Sequence, residues 1–270
     1  MKFSKDLCQK PLTYIFDLDG VIYRGDETQP FARQIVLDLR SQGHFVRFYT
    51  NNSALSREDY SAKLEKLGIP TPIDEIMTSS YATGLYFVDN NATGKTVYPI
   101  GEDGVRHELE AVGMKVIANG DEPGVAIDYV VVGIDRGFTY HKLARAQTAI
   151  LAGAEFIATN EDMTYPLEGD RVVPGNGCLV AAVRAATSVE PFVVGKPHEY
   201  ALLKILELTN TPPERAFMIG DNLATDIAAG NRAGIHTVLV LTGLTSREDA
   251  EKAVGDKKPE RIIETLEELL

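Results

Sequence analysis

Residues 14–20 read Tyr14-Ile15-Phe16-Asp17-Leu18-Asp19-Gly20. Three apolar, β-favouring residues run straight into two carboxylates two positions apart, and a glycine closes the stretch. A short run of this kind suits a strand buried on both faces of a parallel sheet. Near a strand end, side chains two apart face the same way, so Asp17 and Asp19 can present together while Leu18 packs inward. Gly20 permits a sharp turn after them. In open parallel sheets ligands bind in the crevice beyond the carboxyl ends of the strands, which is where this pair falls.

Similar apolar runs recur at residues 45–49, 130–132, 192–194, 216–219 and 237–241. Amphipathic helical patterns lie between them, at residues 32–40, 57–67, 140–151, 199–208 and 225–233. Strand then helix, repeated, predicts right-handed crossovers and an α/β fold with a parallel sheet covered on both faces. The texture changes over residues 84–190, with more glycine and a long, weakly apolar loop at 160–176. That segment still carries its own strand and helix patterns, at 96–100, 104–112 and from 129 onward. It reads as a second α/β domain, 84–190, inserted into a core made of 1–83 and 191–270. On pattern alone, one large continuous sheet stays open as the alternative.

Each core strand delivers chemistry at its end. Thr50-Asn51-Asn52 follows 45–49, and Gly195-Lys196-Pro197 follows 192–194. Gly220-Asp221-Asn222 follows 216–219, with Thr225-Asp226 opening the next helix. Carboxylates, a hydroxyl with amides and one lysine suit a phosphoryl group beside a divalent cation. A carboxylate can attack phosphorus and form an acyl-phosphate. A second carboxyl group can protonate the leaving oxygen and later take a proton from water. Asp221 adds a third hard oxygen donor, as Mg²⁺ prefers, and the cation offsets repulsion between anionic nucleophile and anionic substrate. Thr50 can donate to a phosphate oxygen, and Lys196 supplies fixed positive charge. Taken singly, each residue has an ordinary explanation: a turn aspartate, a capped loop–helix junction, a surface lysine, a first-turn acid. Their occurrence together, each at a strand end, favours a site.

The 270 residues hold 27 Lys plus Arg against 39 Asp plus Glu, a net charge of −12. That charge repels phosphate backbones and anionic lipid. The densest basic cluster, Lys257-Lys258 with Arg261, is interleaved with acids, so neither a nucleic-acid nor a membrane partner is expected. The longest apolar runs, such as 129–132, are far short of a membrane span, and residues 1–10 are too polar and short for a signal peptide. Cys8 and Cys178 form no CxxC, which fits a reducing, cytoplasmic setting. The five histidines show no HxxxH or HxH spacing for zinc, and no GxSxG, GxxxxGK[ST] or GxGxxG is present. Gly175-Asn176-Gly177 reads equally as a phosphate cradle or as a tight turn before a helix at 179–186.

Residues 16–21 resemble the first motif, DxDGxx, of the haloacid dehalogenase superfamily. Tyr49-Thr50-Asn51-Asn52 resembles its second motif, Gly195-Lys196-Pro197 its third, and residues 220–226 its fourth, GDxxxTD. The insert lies between the second and third motifs, where the larger α/β cap type belongs. Residues 132–140 are similar to the VGxDRxFTY stretch of the p-nitrophenylphosphatase and phosphoglycolate phosphatase-like branch. So are Ala158-Thr159-Asn160 and Pro174-Gly175-Asn176-Gly177. The resemblance implies a Rossmann-like core with an inserted α/β cap. It also implies Mg-dependent hydrolysis of small phosphate monoesters, of phosphoglycolate, sugar phosphate, nucleotide or p-nitrophenyl phosphate type, through an aspartyl-phosphate.

By resemblance, Asp17 is the nucleophile and an Mg²⁺ ligand. Asp19 is the general acid/base, with its backbone carbonyl on the metal, and Asp221 is the third protein ligand. Asp226 holds metal-bound water or orients neighbours, with Asn222 in support. Thr50, Asn51 and Lys196 bind phosphate, Asn52 lies near the leaving group or cap, and residues 21–25 form a short flap. The cap is expected to roof the site through the loop 160–176, with Asp162, Tyr165, Glu168, Asp170 and Arg171. A homo-oligomer held through the cap is compatible with the family. Two other classes compete. A phosphoacceptor signalling domain needs no Asp19 equivalent and no insert of this size, and a catalytically idle binding protein needs no complete catalytic set. The insert holds eight basic and fifteen acidic residues, a net of −7, which leaves −5 for the core. Concentrated acidity of this kind favours small esters over phosphorylated polyanions.

Overall fold

A computed structural model describes residues 11–117, 125–166 and 172–270. The described chain divides into two compact units: residues 11–50, 61–77 and 196–270, and residues 51–60 and 78–195. Each has its own sheet.

The first unit is built on six strands in the order Arg261–Ile263, His236–Val240, Ala216–Gly220, Thr13–Phe16, Phe45–Thr50 and Ile76–Thr78. The strand Thr13–Phe16 pairs in parallel with Ala216–Gly220 on one side and Phe45–Thr50 on the other. Chain order therefore reverses beside it, which makes its carboxyl end a topological switch point. All four of its residues are buried, as expected for a strand covered on both faces. Ile15, Phe16, Phe48, Met218 and Ile219 are fully buried across these central strands. Asp17 extends the pairing by donating its N–H to the Ile219 carbonyl at 2.9 Å, so the sheet itself sets where its carboxylate begins.

The second unit has a five-stranded parallel sheet, in the order Phe192–Val193, Glu155–Ala158, Tyr129–Val132, Thr96–Ile100 and Lys115–Val116. Val130, Val132, Phe156 and Ala158 pack with Ala146, Ala149 and Ile150 of the helix Tyr140–Leu151 and with Val180 and Val183 of the helix Asn176–Thr187. A separate antiparallel pair joins Thr164–Pro166 to Val172–Pro174.

Two details depart from the pattern-based expectation. The strand Phe192–Val193, placed by its apolar run in the core, is the edge of the second sheet. Residues 51–60 and 78–83 also group with the second unit. Side-chain hydroxyls tie them together: Ser79 Oγ donates to the Asn51 carbonyl at 2.6 Å and Ser80 Oγ to that of Ser53 at 3.1 Å. Apolar periodicity carries no information about such ties.

Candidate active site

The first unit gathers four buried charges: Asp17 and Asp221 directly follow strands of its sheet, Lys196 follows the segment after Phe192–Val193, and Asp226 lies one turn beyond Asp221. Asp17, Lys196, Asp221 and Asp226 are each less than a tenth exposed. Lys196 Nζ donates to Asp17 Oδ1 and to Asp226 Oδ1, each at 2.6 Å, and to the Tyr49 carbonyl at 3.4 Å. Charged hydrogen bonds this short are the strong kind. The other Asp226 oxygen accepts the N–H groups of Asp221 at 3.2 Å and Asn222 at 3.1 Å. Asp226 thus fixes both the Asp221 turn and the lysine. It sits on a π-helical turn, Leu223–Ile227, whose start is capped by Asn222 Oδ1 accepting from Ala224 N–H at 2.8 Å. Irregular turns of this type are frequent at functional sites.

Asp221 is held from a segment that motif reading did not single out. Its Oδ2 accepts the Leu244 N–H at 2.7 Å, and its carbonyl accepts the Thr245 hydroxyl at 2.6 Å. A Cβ at Gly243 would overlap that same Oδ2, and one at Gly20 would lie 2.5 Å from it. Gly20 also has φ +86°, so two separate demands converge on glycine there. Gly20 belongs to a tight turn in which the Leu18 carbonyl accepts from Ile22 and Tyr23 and Gly20 N–H donates to the Tyr23 carbonyl. The short pair Tyr23–Arg24 and Glu27–Thr28 follows it. Asp19 lies at the start of this turn, partly buried, bridged to Tyr23. Thr50, buried, ends the strand next to that of Asp17.

Family comparison agrees with this geometry. The Haloacid dehalogenase-like hydrolase family matches residues 14–115, and a HAD-hydrolase-like family matches 193–269. The chain is 37% identical to the 5'-nucleotidase YutF of Bacillus subtilis (strain 168), over 94% of this chain and 96% of that one. It belongs to the haloacid dehalogenase (HAD) superfamily. This HAD chain is also 38% identical to an acid sugar phosphatase of Staphylococcus saprophyticus, over 88% and 90% of the two chains. Its fold superposes on the crystal structure of glycerol phosphate phosphatase Rv1692 from Mycobacterium tuberculosis in complex with magnesium. The TM-score is 0.89 and the identity 32%, covering 97% of this chain and 77% of that one.

Electrostatics in the HAD site follow from burial. Desolvation holds Asp17 well above the usual carboxylate range; the Lys196 charge opposes this, and Asp226 and Asp221 add to it. Burial, with Asp226 beside it, pushes Asp221 up to about 7. Burial also raises Asp19, against the charges of Lys63 and then Lys196. For Lys196 burial acts the other way, but Asp17 and Asp226 overcome it and keep the ammonium charged. Asp17, Asp221 and Asp226 offer carboxylate oxygens that all lie within 4.8 Å of one another. Three acids around one ammonium leave an excess of negative charge that a divalent cation would cancel. The donors are hard oxygens, so the residues fit Mg²⁺. The Asp19 side chain is not in this cluster; its expected metal contact was through the backbone carbonyl.

The remaining predicted residues of this HAD protein lie in the second unit. Asn51 Nδ2 donates to Asp162 Oδ2 at 3.0 Å, and Asn52 Nδ2 to the Tyr165 hydroxyl at 3.3 Å. Asn160 Nδ2 donates to the Asn51 carbonyl at 2.7 Å. Asp162 and Tyr165, expected to face a leaving group, therefore hold the two residues that follow Thr50. Glu168, Asp170 and Arg171, expected beside them, lie outside the described residues, as does Cys8. Gly175 and Gly177 are explained by packing: a Cβ on either would overlap the carbonyl of Asp162 or Glu161. Asn176 donates to the Asn160 carbonyl at 2.7 Å and to that of Val132 at 3.1 Å. This is a turn into a helix, with the Gly175 and Gly177 N–H groups donated to the Met163 and Asp162 carbonyls at 2.9 Å each.

Proposed function

We propose that this chain hydrolyses small phosphate monoesters with Mg²⁺, through an aspartyl-phosphate on Asp17. The observation that carries it is the Asp17 carboxylate at the end of the central strand, gripped by Lys196 within a cluster of three buried acids. A free Asp17 oxygen attacks phosphorus, and the bond to the leaving oxygen breaks. Asp19, which burial keeps inclined to hold a proton, gives that proton to the departing alcohol. Asp19 then takes a proton from water, the water oxygen attacks the phosphorus of the acyl-phosphate, and Asp17 is released with inorganic phosphate. Lys196 holds Asp17 in place and offers positive charge to the phosphoryl oxygens, while Thr50 donates its hydroxyl. Mg²⁺, when held by Asp17, Asp221 and the Asp19 carbonyl, supplies the charge that lets two anions meet. Asp226 and Asn222 keep Asp221 and Lys196 in place.

The named relatives act on a nucleotide, a sugar phosphate and glycerol phosphate, which supports small monoesters as the substrate class. The net charge of −12 speaks against nucleic-acid ends. The segment 84–190 is proposed to act as the cap that selects the alcohol, through the loop 160–176. Exchanging that loop for a relative's should change the substrate profile.

Asp17→Asn should abolish turnover of p-nitrophenyl phosphate while leaving the fold intact, and EDTA should silence the wild type until Mg²⁺ is restored. Near-normal activity of the variant would sink the mechanism. A stable phospho-Asp17 without turnover would point to the phosphoacceptor class instead.

A further inference from the structure

The strand His236–Val240 runs parallel to Ala216–Gly220 in the first sheet, and its carboxyl end leads into residues 242–245. None of these takes part in the mechanism above, yet they hold two separate parts of the site. Leu244 N–H and the Thr245 hydroxyl grip the Asp221 carboxylate and carbonyl, and Thr245 N–H adds a bond to that carbonyl at 3.2 Å. At the other end of the segment, Thr242 Oγ1 donates to the Gly20 carbonyl at 2.7 Å. The Thr242 carbonyl accepts from Arg24 Nη2 at 3.3 Å, so this residue is also tied to the short pair Tyr23–Arg24 and Glu27–Thr28.

The closeness of Asp221 Oδ2 and a φ of +86° both call for glycine at position 20. Glycine brings the widest backbone freedom of any residue, so the two peptide units that flank it need outside support to stay in one orientation. Gly20 N–H supports the first by donating to the Tyr23 carbonyl at 2.8 Å. That N–H shares a planar trans peptide with the Asp19 carbonyl, so the same bond aims the carbonyl proposed for Mg²⁺. Thr242 supports the second by holding the Gly20 carbonyl. One four-residue segment thus fixes the Asp19 turn at one end and Asp221 at the other. We propose that Thr242 is a positioning residue that sets the spacing of two Mg²⁺ ligands, the Asp19 carbonyl and the Asp221 carboxylate. This inference rests on the Mg²⁺-dependent phosphatase reading and adds to it what keeps the metal site at one size.

Spacing matters to the ion. Mg²⁺ demands near-octahedral geometry with short bonds, whereas Ca²⁺ accepts longer and less regular ones. Loosened spacing should therefore harm Mg²⁺ binding more than Ca²⁺ binding. The test titrates the metal-free full chain with MgCl2 or CaCl2 by calorimetry, with no substrate present. Thr242→Val keeps the branched shape and removes the hydroxyl, and the position is partly exposed, so the variant should fold. It should weaken Mg²⁺ binding about tenfold and Ca²⁺ binding about threefold or less, which shifts the affinity ratio toward Ca²⁺. Thr242→Ser restores the hydroxyl and should bring the ratio back to the wild-type value. A general loss of stability weakens both ions together, so the ratio separates positioning from mere support of the fold. An unchanged Mg²⁺ affinity in Thr242→Val overturns the proposal, as does equal weakening of both ions or a Thr242→Ser variant that behaves like Thr242→Val. If the wild type binds neither ion, the metal assignment has failed and this inference goes with it. If the wild type binds Mg²⁺ but leaves p-nitrophenyl phosphate intact, the phosphatase reading has failed, and the role of Thr242 is still decided by the titrations.

Discussion

Replacing Lys196 by Met tests the site most sharply. Lys196 is 2% exposed, and its ammonium bridges Asp17 and Asp226 at 2.6 Å each. Its removal leaves buried carboxylates without their bridging cation. Breaking a buried ion pair from one side costs about 3–5 kcal/mol. Asp17 and Asp221, already pushed up by burial, respond by holding protons, so the stability loss without metal should lie near the lower figure. Turnover should suffer more. Losing a preorganised charge that faces the transition state costs about 10²–10³ in kcat. The assay is p-nitrophenyl phosphate hydrolysis at saturating Mg²⁺ from pH 6 to 9, with urea unfolding alongside. The expected deficit is about 10³-fold. A Lys196→Met enzyme within threefold of wild-type kcat across that range would refute the assigned role of the lysine.

Other perturbations address other parts of the molecule. Gly243→Ala forces a Cβ into Asp221 Oδ2, so the Mg²⁺ needed for half-maximal rate should rise about 10–100-fold; an unchanged requirement would mean that Asp221 is not a ligand. Arg57→Ala strands the fully buried Glu108, which accepts the Arg57 backbone N–H at 3.0 Å and Nε at 3.1 Å. The expected cost is about 3–5 kcal/mol in urea unfolding, and a loss below about 1 kcal/mol would show the pair to be dispensable. Burial, helped by Arg215, lowers His44, whose Nδ1 accepts the Leu12 N–H at 3.2 Å. The unfolded chain then binds more protons than the folded one, so this contribution is complete above about pH 6.5 and is lost as pH falls through the lower folded value. Urea midpoints measured from pH 7.5 to 5.5 should fall further in the wild type than in His44→Gln; parallel curves would remove His44 as the cause.

The strand Thr13–Phe16, its two acids and the three other strand-end motifs were all legible in the sequence. They depend on local rules: an apolar run marks a doubly covered strand, residues two apart share a face, and a glycine allows the turn. Those rules sufficed for the α/β class, for the nucleophile and acid candidates, and for the type of metal. They did not reach the partners that lie far along the chain. Asp226 looked like a first-turn acid or a water holder, and only the folded chain shows both its oxygens committed to Lys196 and the Asp221 turn. The clamp of residues 243–245 on Asp221 left no mark in spacing or composition. Nor did the grouping of Asn51 and Asn52 with Asp162 and Tyr165, more than a hundred residues later. Periodicity encodes which face of an element is buried. It does not encode which other element covers that face, so strand order at the switch point, the lysine bridge and the division of the chain after Thr50 were decided only when the sheets assembled.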